Sequence, residues 1–251
     1  MSKMTLLEIV QDIVNDMTSD EINSIADTIE STQVSYIVRS TYNDLITSKY
    51  WPHTKRLIQL DALADTTRPT MVKLPDNVIK IDTIKYNKQG IDDTFKKYEE
   101  VIWMEPDAFL DMVNSRVSSN SEVETCPSIY QDVDLFILNN NPPTYWTSFD
   151  DVYVVFDSYD NEVDSTIQNS KMQVFAYVLP EFTLEDTFVP DMAAKEFPYL
   201  LAEAKSRCFN LIKQVGDVKS EQSSNRHRTR LAREKFRTNG GIKYPNYGRK
   251  P

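Results

Sequence analysis

The middle of this chain is dominated by short strand-like runs, and only one helix-like segment interrupts them. Between residues 56 and 190, β-branched and aromatic residues cluster in runs that polar or Pro-containing stretches separate. The helix-like segment covers residues 106–113. Because strands of a parallel sheet alternate with crossover helices, this pattern disfavours a parallel α/β fold and predicts an antiparallel sandwich or barrel. The strand-like runs are residues 57–60, 77–86, 101–103, 134–138, 152–156 and 172–179.

Both ends of the chain have helical periodicity instead. Residues 5–17 carry an apolar stripe behind Thr5 and Glu8, which have the spacing of a capping box. A second helix is expected over residues 31–50, ended by Pro52, and a further one from about residue 192. The predicted fold class is α+β, with a helical bundle layer from the N- and C-terminal segments, an inserted antiparallel β sandwich or barrel, and an extended C-terminal tail. The predicted domains are residues 1–52 with 191–237, residues 53–190, and the tail at residues 238–251.

Charge is strongly segregated along the chain. The whole sequence has 28 Lys and Arg against 38 Asp and Glu, a net charge of −10. Residues 205–251 contain 13 of the basic and 3 of the acidic side chains, so this end is +10 and the preceding 204 residues are −20. Four of the five glycines also lie in this end. An acidic body with a basic terminus predicts a protein that holds a partner with that terminus.

The basic run at residues 226–237 is the strongest local signal. Leu231 and Phe236 are the only large apolar residues between 219 and 237, so a helix here needs a partner to stabilise it. Three interpretations follow: nucleic-acid contact through phosphates, a solvated helix face, or contact with an acidic protein. The −20 body weighs against a sequence-specific DNA reader, because duplex DNA would repel it.

Motifs for catalysis or cofactor binding are missing from the sequence. Neither a phosphate-binding Gly-rich loop nor a Ser nucleophile elbow occurs, and the chain contains two His residues. The acidic loop at residues 157–164 fails the Ca²⁺-loop pattern, since Tyr159 fills the third position and no Gly the sixth, and a solvated turn is expected there. We therefore expect no enzyme, no cofactor and no metal site. Cys126 and Cys208 are expected to be free thiols, with Cys208 a small core residue. With no apolar stretch of membrane-spanning length and no secretory leader, assembly in the cytoplasm is expected.

Several short motifs, in order along the chain, resemble the head-to-tail adaptors of short-tailed bacteriophages, the tail tubular protein A-like family. The similarity covers most of the sequence and consists of many weak pieces. They are Ser48-Lys49-Tyr50-Trp51, Leu74-Pro75-Asp76-Asn77-Val78, residues 105–110, residues 142–151, Val154-Val155-Phe156-Asp157, Pro190-Asp191-Met192 and Tyr247-Gly248-Arg249.

The resemblance implies a structural virion protein of the neck or tail, without catalysis. Its partners would be identical subunits in a ring, commonly of twelve copies, the portal protein above it and the next tail or nozzle protein below. Genomic DNA would pass through the lumen without specific binding, and no membrane would be involved. The portal-docking candidates are Arg226, Arg228, Arg230, Arg233, Lys235, Phe236, Arg237, Tyr244, Tyr247, Arg249 and Lys250.

Two alternatives remain open from the sequence. The first is a nucleic-acid-binding protein that uses the basic C-terminal helix, with an affinity that falls steeply with salt. The second is a carboxylate-dependent hydrolase, which depends only on the acidic loops.

Overall fold

The computed structural model of the protein describes residues 3–63, 65–90, 94–129 and 133–233. It is a mixed α+β structure that divides into two compact units. The first unit consists of the residues up to His53 and those from Pro180 onward, and the second runs Thr54–Leu179. The β-rich segment is thus inserted between two stretches of helical sequence.

Helix α1 (Leu6–Thr18) and helix α2 (Ile29–Thr47) begin at capping boxes, which fix their first residues. In α1, Thr5 and Glu8 exchange backbone-to-side-chain hydrogen bonds of 2.7 and 3.2 Å, as the sequence predicts. In α2, Thr28 and Ser31 do the same. Both helices turn an apolar stripe inward, and α1 buries Leu6, Ile9, Val10, Ile13 and Val14.

The third helix of this unit, α4 (Phe197–Cys208), completes a common core with α1 and α2. Leu200, Ala204 and Cys208 are fully buried at helical spacing in this core. A π-helical turn (Phe209–Lys213) follows and ends at Gln214 in the left-handed region, with φ of 54°. The chain then re-enters a helix, α5 (Val218–Arg233), which packs against α4.

Residues 180–190, which follow the β-rich segment in the sequence, pack with the helical core. Phe182 and Phe188 pack against that core, and the Leu6 amide donates to the Phe188 carbonyl at 2.7 Å. The sequence placed the end of the β-rich segment at residue 190, whereas the residues from Pro180 onward lie with the helices. Aromatic side chains in this stretch fill the helical core, although their sequence pattern is the same as that of a short strand.

The described residues of the second unit form ten strands and one α-helix, α3 (Pro106–Asn114). Its core includes the fully buried side chains of Phe109, Leu135, Ile137 and Phe156. The strands are β1 (Lys55–Ile58), β2 (Asp61–Ala62), β3 (Met71–Lys73), β4 (Val78–Asn87), β5 (Tyr98–Trp103), β6 (Val123–Pro127), β7 (Asp134–Leu138), β8 (Tyr145–Thr147), β9 (Tyr153–Phe156) and β10 (Met172–Val178).

Eight of these strands form one curled sheet in the order β1-β10-β4-β5-β8-β9-β3-β2, and β6 and β7 form a separate hairpin. The sequence predicted a wholly antiparallel arrangement, and this prediction is wrong at one place. Strands β5 and β8 pair in parallel through Ile102–Tyr145 and Trp103–Trp146. Helix α3 and the hairpin lie between these two strands in the sequence, and they provide the long crossover that parallel neighbours require. The described part of the second unit thus has one curled sheet and a separate hairpin, whereas the sequence predicted an antiparallel sandwich or barrel.

Candidate docking surface

Helix α5, which carries the basic run, is held against α4 by a small polar contact. Ser224 is buried, and its Oγ donates a hydrogen bond to the Glu203 carboxylate. The start of α5 is fixed by Asp217, which accepts a hydrogen bond from the Lys219 amide at 3.0 Å and one from the Ser220 hydroxyl. The Ser220 hydrogen bond lowers the pKa of Asp217. The sequence predicts that this helix needs a partner, and α4 of the same chain provides part of that partner.

Glu203 also joins α5 to the rest of the helical unit. Its carboxylate accepts from Arg207 Nε at 3.3 Å, and Arg207 Nη1 lies 2.5 Å from a carboxylate oxygen of Asp44 on α2. Burial lowers the pKa of Arg207, but Asp44 and Glu203 outweigh this and raise it overall. The network Ser224–Glu203–Arg207–Asp44 thus links three helices.

Three members of this network, Asp44, Glu203 and Arg207, line an open groove of about 330 Å³. Arg228 contributes from α5, and the Lys49 ammonium lies 3.9 Å from the centre of the Trp51 ring. Burial, followed by the charge of Glu203, raises the pKa of Tyr199 in this groove. The groove is lined by Thr41, Asp44, Leu45, Ser48, Lys49, Trp51, Tyr199, Glu203, Arg207 and Arg228.

The two described arginines of the predicted set are presented to solvent. Arg226 and Arg228 are exposed, and among the described residues no carboxylate lies within ion-pair distance of either. A guanidinium in this setting can donate paired hydrogen bonds to a carboxylate or a phosphate. Because these residues are two positions apart, they lie on different sides of α5, and Arg228 lines the groove whereas Arg226 does not, so α5 offers two separate guanidinium contacts to an anionic partner surface.

The remaining residues of the predicted docking set follow Arg228 in the sequence. Arg230 and Arg233 lie on the last turns of α5, where only the backbone is described. The other predicted docking residues lie outside the described residues: Lys235, Phe236, Arg237, Tyr244, Tyr247, Arg249 and Lys250.

Sequence reasoning missed the residues that support the basic helix. Glu203 and Arg207 have the i, i+4 spacing of a helical ion pair, so that part of the network was visible in the sequence. Asp44 lies 163 residues before Arg207, and no local pattern connects them.

The acidic loop differs from the solvated turn that the sequence predicted. Asp157 is 3% exposed, and its Oδ1 accepts from the amides of Thr144 at 2.9 Å and Tyr145 at 2.8 Å. Its Oδ2 lies 3.2 Å from Arg116 Nη2. The Asp157 carboxylate therefore links the backbone at Thr144 and Tyr145 to the side chain of Arg116. Glu162, farther along the loop, is exposed.

Among the described residues, no group of three or more His, Cys, Asp or Glu side chains is placed to hold a metal ion. None of the described helices has both the length and the apolar character needed to cross a membrane. Cys126 and Cys208 are both buried free thiols, and Cys208 lies in the helical core as predicted.

Comparison with known proteins gives no relative to set beside this surface, because neither a protein-family model nor a curated protein sequence matches the chain.

Proposed function

We propose that the protein is a structural virion component, a head-to-tail adaptor that joins a portal ring to the tail and forms part of the DNA channel. The order of the adaptor-like motifs along the chain supports this role. A ring of identical subunits, with the next tail protein on its far side, would be the assembled state. The helical unit would provide the ring-forming layer, and no catalysis is involved.

The observation that carries the proposal is the pair of exposed arginines on α5. Arg226 and Arg228 project from a helix that α4 holds in place, in a chain whose first 204 residues have a charge of −20. A cationic arm on an acidic body is suited to a protein surface that carries carboxylates. The acidic body itself would repel the DNA that passes beside it, which keeps the channel wall from binding the genome.

A charge-reversal experiment tests the docking role. Arg226→Glu/Arg228→Glu should abolish co-sedimentation with the portal ring encoded in the same genome, because two guanidinium contacts become repulsive. Arg56→Glu/Lys96→Glu makes the same change in net charge at exposed positions of the second unit, outside α5, and should leave binding unchanged. Equal binding by the two variants would refute the assignment of α5 as the docking helix.

Truncation after Arg233 separates the contribution of the C-terminal segment, since it keeps all of α5 that the structure describes. A deletion that starts at residue 226 would remove half of that helix as well. If the shorter truncation binds the portal ring like the full chain, the seven predicted residues beyond Arg233 have no docking role.

Nucleic-acid binding through the same two arginines is the second candidate function, because exposed guanidiniums also bind phosphates. It requires an affinity for duplex DNA at low salt that falls steeply as salt is added. A gel-shift titration at low ionic strength without a shifted band would exclude it.

A further inference from the structure

The eight-stranded sheet splits along one edge of β4. The β4–β5 ladder covers Ile84–Asn87 of β4, where Ile84 pairs with Val101. From Ile102 onward β5 pairs with β8 instead. The pairing of β4 with β10 has a register shift near Thr83, at the point where the two halves of the sheet separate.

An open cleft of about 770 Å³ occupies the split. Five consecutive residues of β4, from Val78 to Asp82, line it. Because side chains of a strand alternate between its two faces, a cavity on one face would contact every second residue. Contact with consecutive residues means that the cleft runs along the strand edge.

The cleft has an aromatic and apolar wall with an acidic rim. Trp103 and Trp146 are direct partners in the parallel pair of β5 and β8, so their rings lie on the same side. Trp103 is 50% exposed and Ile79 is 41% exposed. Asp82, Glu105 and Asp151 line the cleft with Lys80, and Asp82 is paired with Lys55 at 2.5 Å, so the acidic character of the rim comes mainly from Glu105 and Asp151.

We propose that this cleft binds the C-terminal segment of another copy of the chain, residues 240–251, as an added strand on the β4 edge. Strand addition at a sheet edge is a common mode of peptide recognition, in which backbone hydrogen bonds give affinity and side-chain pockets give specificity. Residues 240–251 contain three basic and no acidic side chains, so they complement the rim. They also contain Ile242, Tyr244 and Tyr247, which match an aromatic wall.

The length of the segment is sufficient for this. Twelve extended residues span about 40 Å, whereas the lined part of β4 is five residues long. Pro245 has no amide hydrogen, so it fits an outermost strand, where one edge faces solvent. This choice of another copy as the source of the segment rests on the ring of the proposed function, in which a contact between the segment of one copy and the cleft of the next is head-to-tail, as closure requires.

This inference goes beyond the proposed adaptor role, because it assigns Tyr244, Tyr247, Arg249 and Lys250 to the cleft of another copy in place of the portal contact that the resemblance implies. A direct test uses a fluorescently labelled peptide of residues 240–251 and the full-length protein, without any portal. We expect saturable binding by fluorescence anisotropy, and a change in Trp emission, because the peptide contains no Trp. A failure of the adaptor role would leave this result intact.

Two variants locate the binding site. Trp103→Ala should weaken peptide binding at least about tenfold, as expected for a central aromatic contact. Phe95→Ala removes another exposed aromatic side chain of the same unit and should have no effect. Equal affinity of the two variants, or no binding of the peptide to the wild-type protein at millimolar concentration, would overturn the proposal.

A second set of variants changes the charge of the cleft. These variants test binding in the cleft even if Trp103→Ala fails to fold. Asp82→Asn/Glu105→Gln/Asp151→Asn should weaken binding about tenfold and reduce its salt dependence. Asp111→Asn/Glu122→Gln/Asp134→Asn makes the same net change at exposed positions outside the cleft and should bind like wild type. A peptide with Lys243→Glu, Arg249→Glu and Lys250→Glu should not bind, and its binding at wild-type affinity would contradict the acidic-rim argument.

Discussion

At the scale of single residues, Asp157 shows how a carboxylate that looks functional in the sequence can be structural. The sequence places it in an acidic loop with three more carboxylates, a pattern that raises the possibility of metal binding or acid–base chemistry. In the structure it accepts two backbone hydrogen bonds and pairs with Arg116, whose side chain is 12% exposed. Loss of one partner in such a buried pair leaves the other charge uncompensated.

We therefore expect Asp157→Ala to lower the free energy of unfolding of the β unit by about 3–5 kcal/mol. Glu162→Gln in the same loop should change it by less than about 0.5 kcal/mol, because that side chain is exposed. Urea denaturation followed by Trp fluorescence measures both variants. A similar midpoint for the two would contradict the structural role of Asp157.

The two buried thiols predict a dependence of stability on alkaline pH. Burial raises the pKa of Cys126 and of Cys208 from 9.0 to about 12, and at Cys126 the charge of Glu124 adds to the effect. Between these values the unfolded chain releases protons that the folded chain retains. The contribution of the protonated thiols to the free energy of unfolding should therefore be fully present below pH 9. It should decrease as pH rises toward 12, by up to about 1.4 kcal/mol per thiol and pH unit.

Denaturation midpoints at pH 8, 9 and 10 test this. Cys126→Ala/Cys208→Ala should show a smaller decrease over this range than wild type, since tyrosines and lysines that titrate there are common to both. Identical slopes would show that the thiols are not protected by folding.

At the scale of elements, α5 shows what a polar helix needs. It has little apolar surface, and the structure holds it against α4 through Ser224 and Glu203. Ser224→Glu would place two carboxylates in contact, and we expect it to release α5 and to speed trypsin cleavage after Arg226 and Arg228 several-fold. Asn225→Glu adds the same charge on the exposed side and should leave the cleavage rate unchanged.

Limited proteolysis with mass spectrometry of the fragments measures the two rates. Equal rates would mean that the Ser224–Glu203 contact does not hold α5 in place.

Elements with a capping motif or a continuous apolar run were predictable from the sequence, and very short or mixed ones were not. The capping box of Thr5 and Glu8 marked the start of α1, and β7 was predicted with the bounds that it has. Of the strands that were missed, β2, β3 and β8 have only two or three residues each, too few for a pattern to be recognised. The fourth, β6, mixes polar and apolar residues and ends in Pro127, unlike the apolar run of β7. The parallel pairing of β5 with β8 depends on tertiary contacts across the α3 crossover, which no local pattern contains.

The candidate site was predictable to a similar degree. The basic composition of residues 226–237 identified the helix that presents Arg226 and Arg228. The groove beside it depends on Asp44, Trp51 and Tyr199, which come from distant parts of the chain and meet only in the folded helical unit.

At the scale of the whole molecule, the distribution of charge connects the fold to the proposed role. The acidic residues are spread over the first 204 positions, and the basic ones concentrate on and after α4. In the proposed role, the acidic part of the chain would repel nucleic acid, and the basic part would be offered to a partner. This combination is what an adaptor beside a DNA channel requires.

Electron microscopy of the purified protein mixed with the portal ring from the same genome tests this central claim most directly. The proposed function predicts an additional ring of density at one end of the portal, with repeated copies of this chain around the channel axis. Portal rings that remain unchanged in the presence of a molar excess of the protein would contradict it.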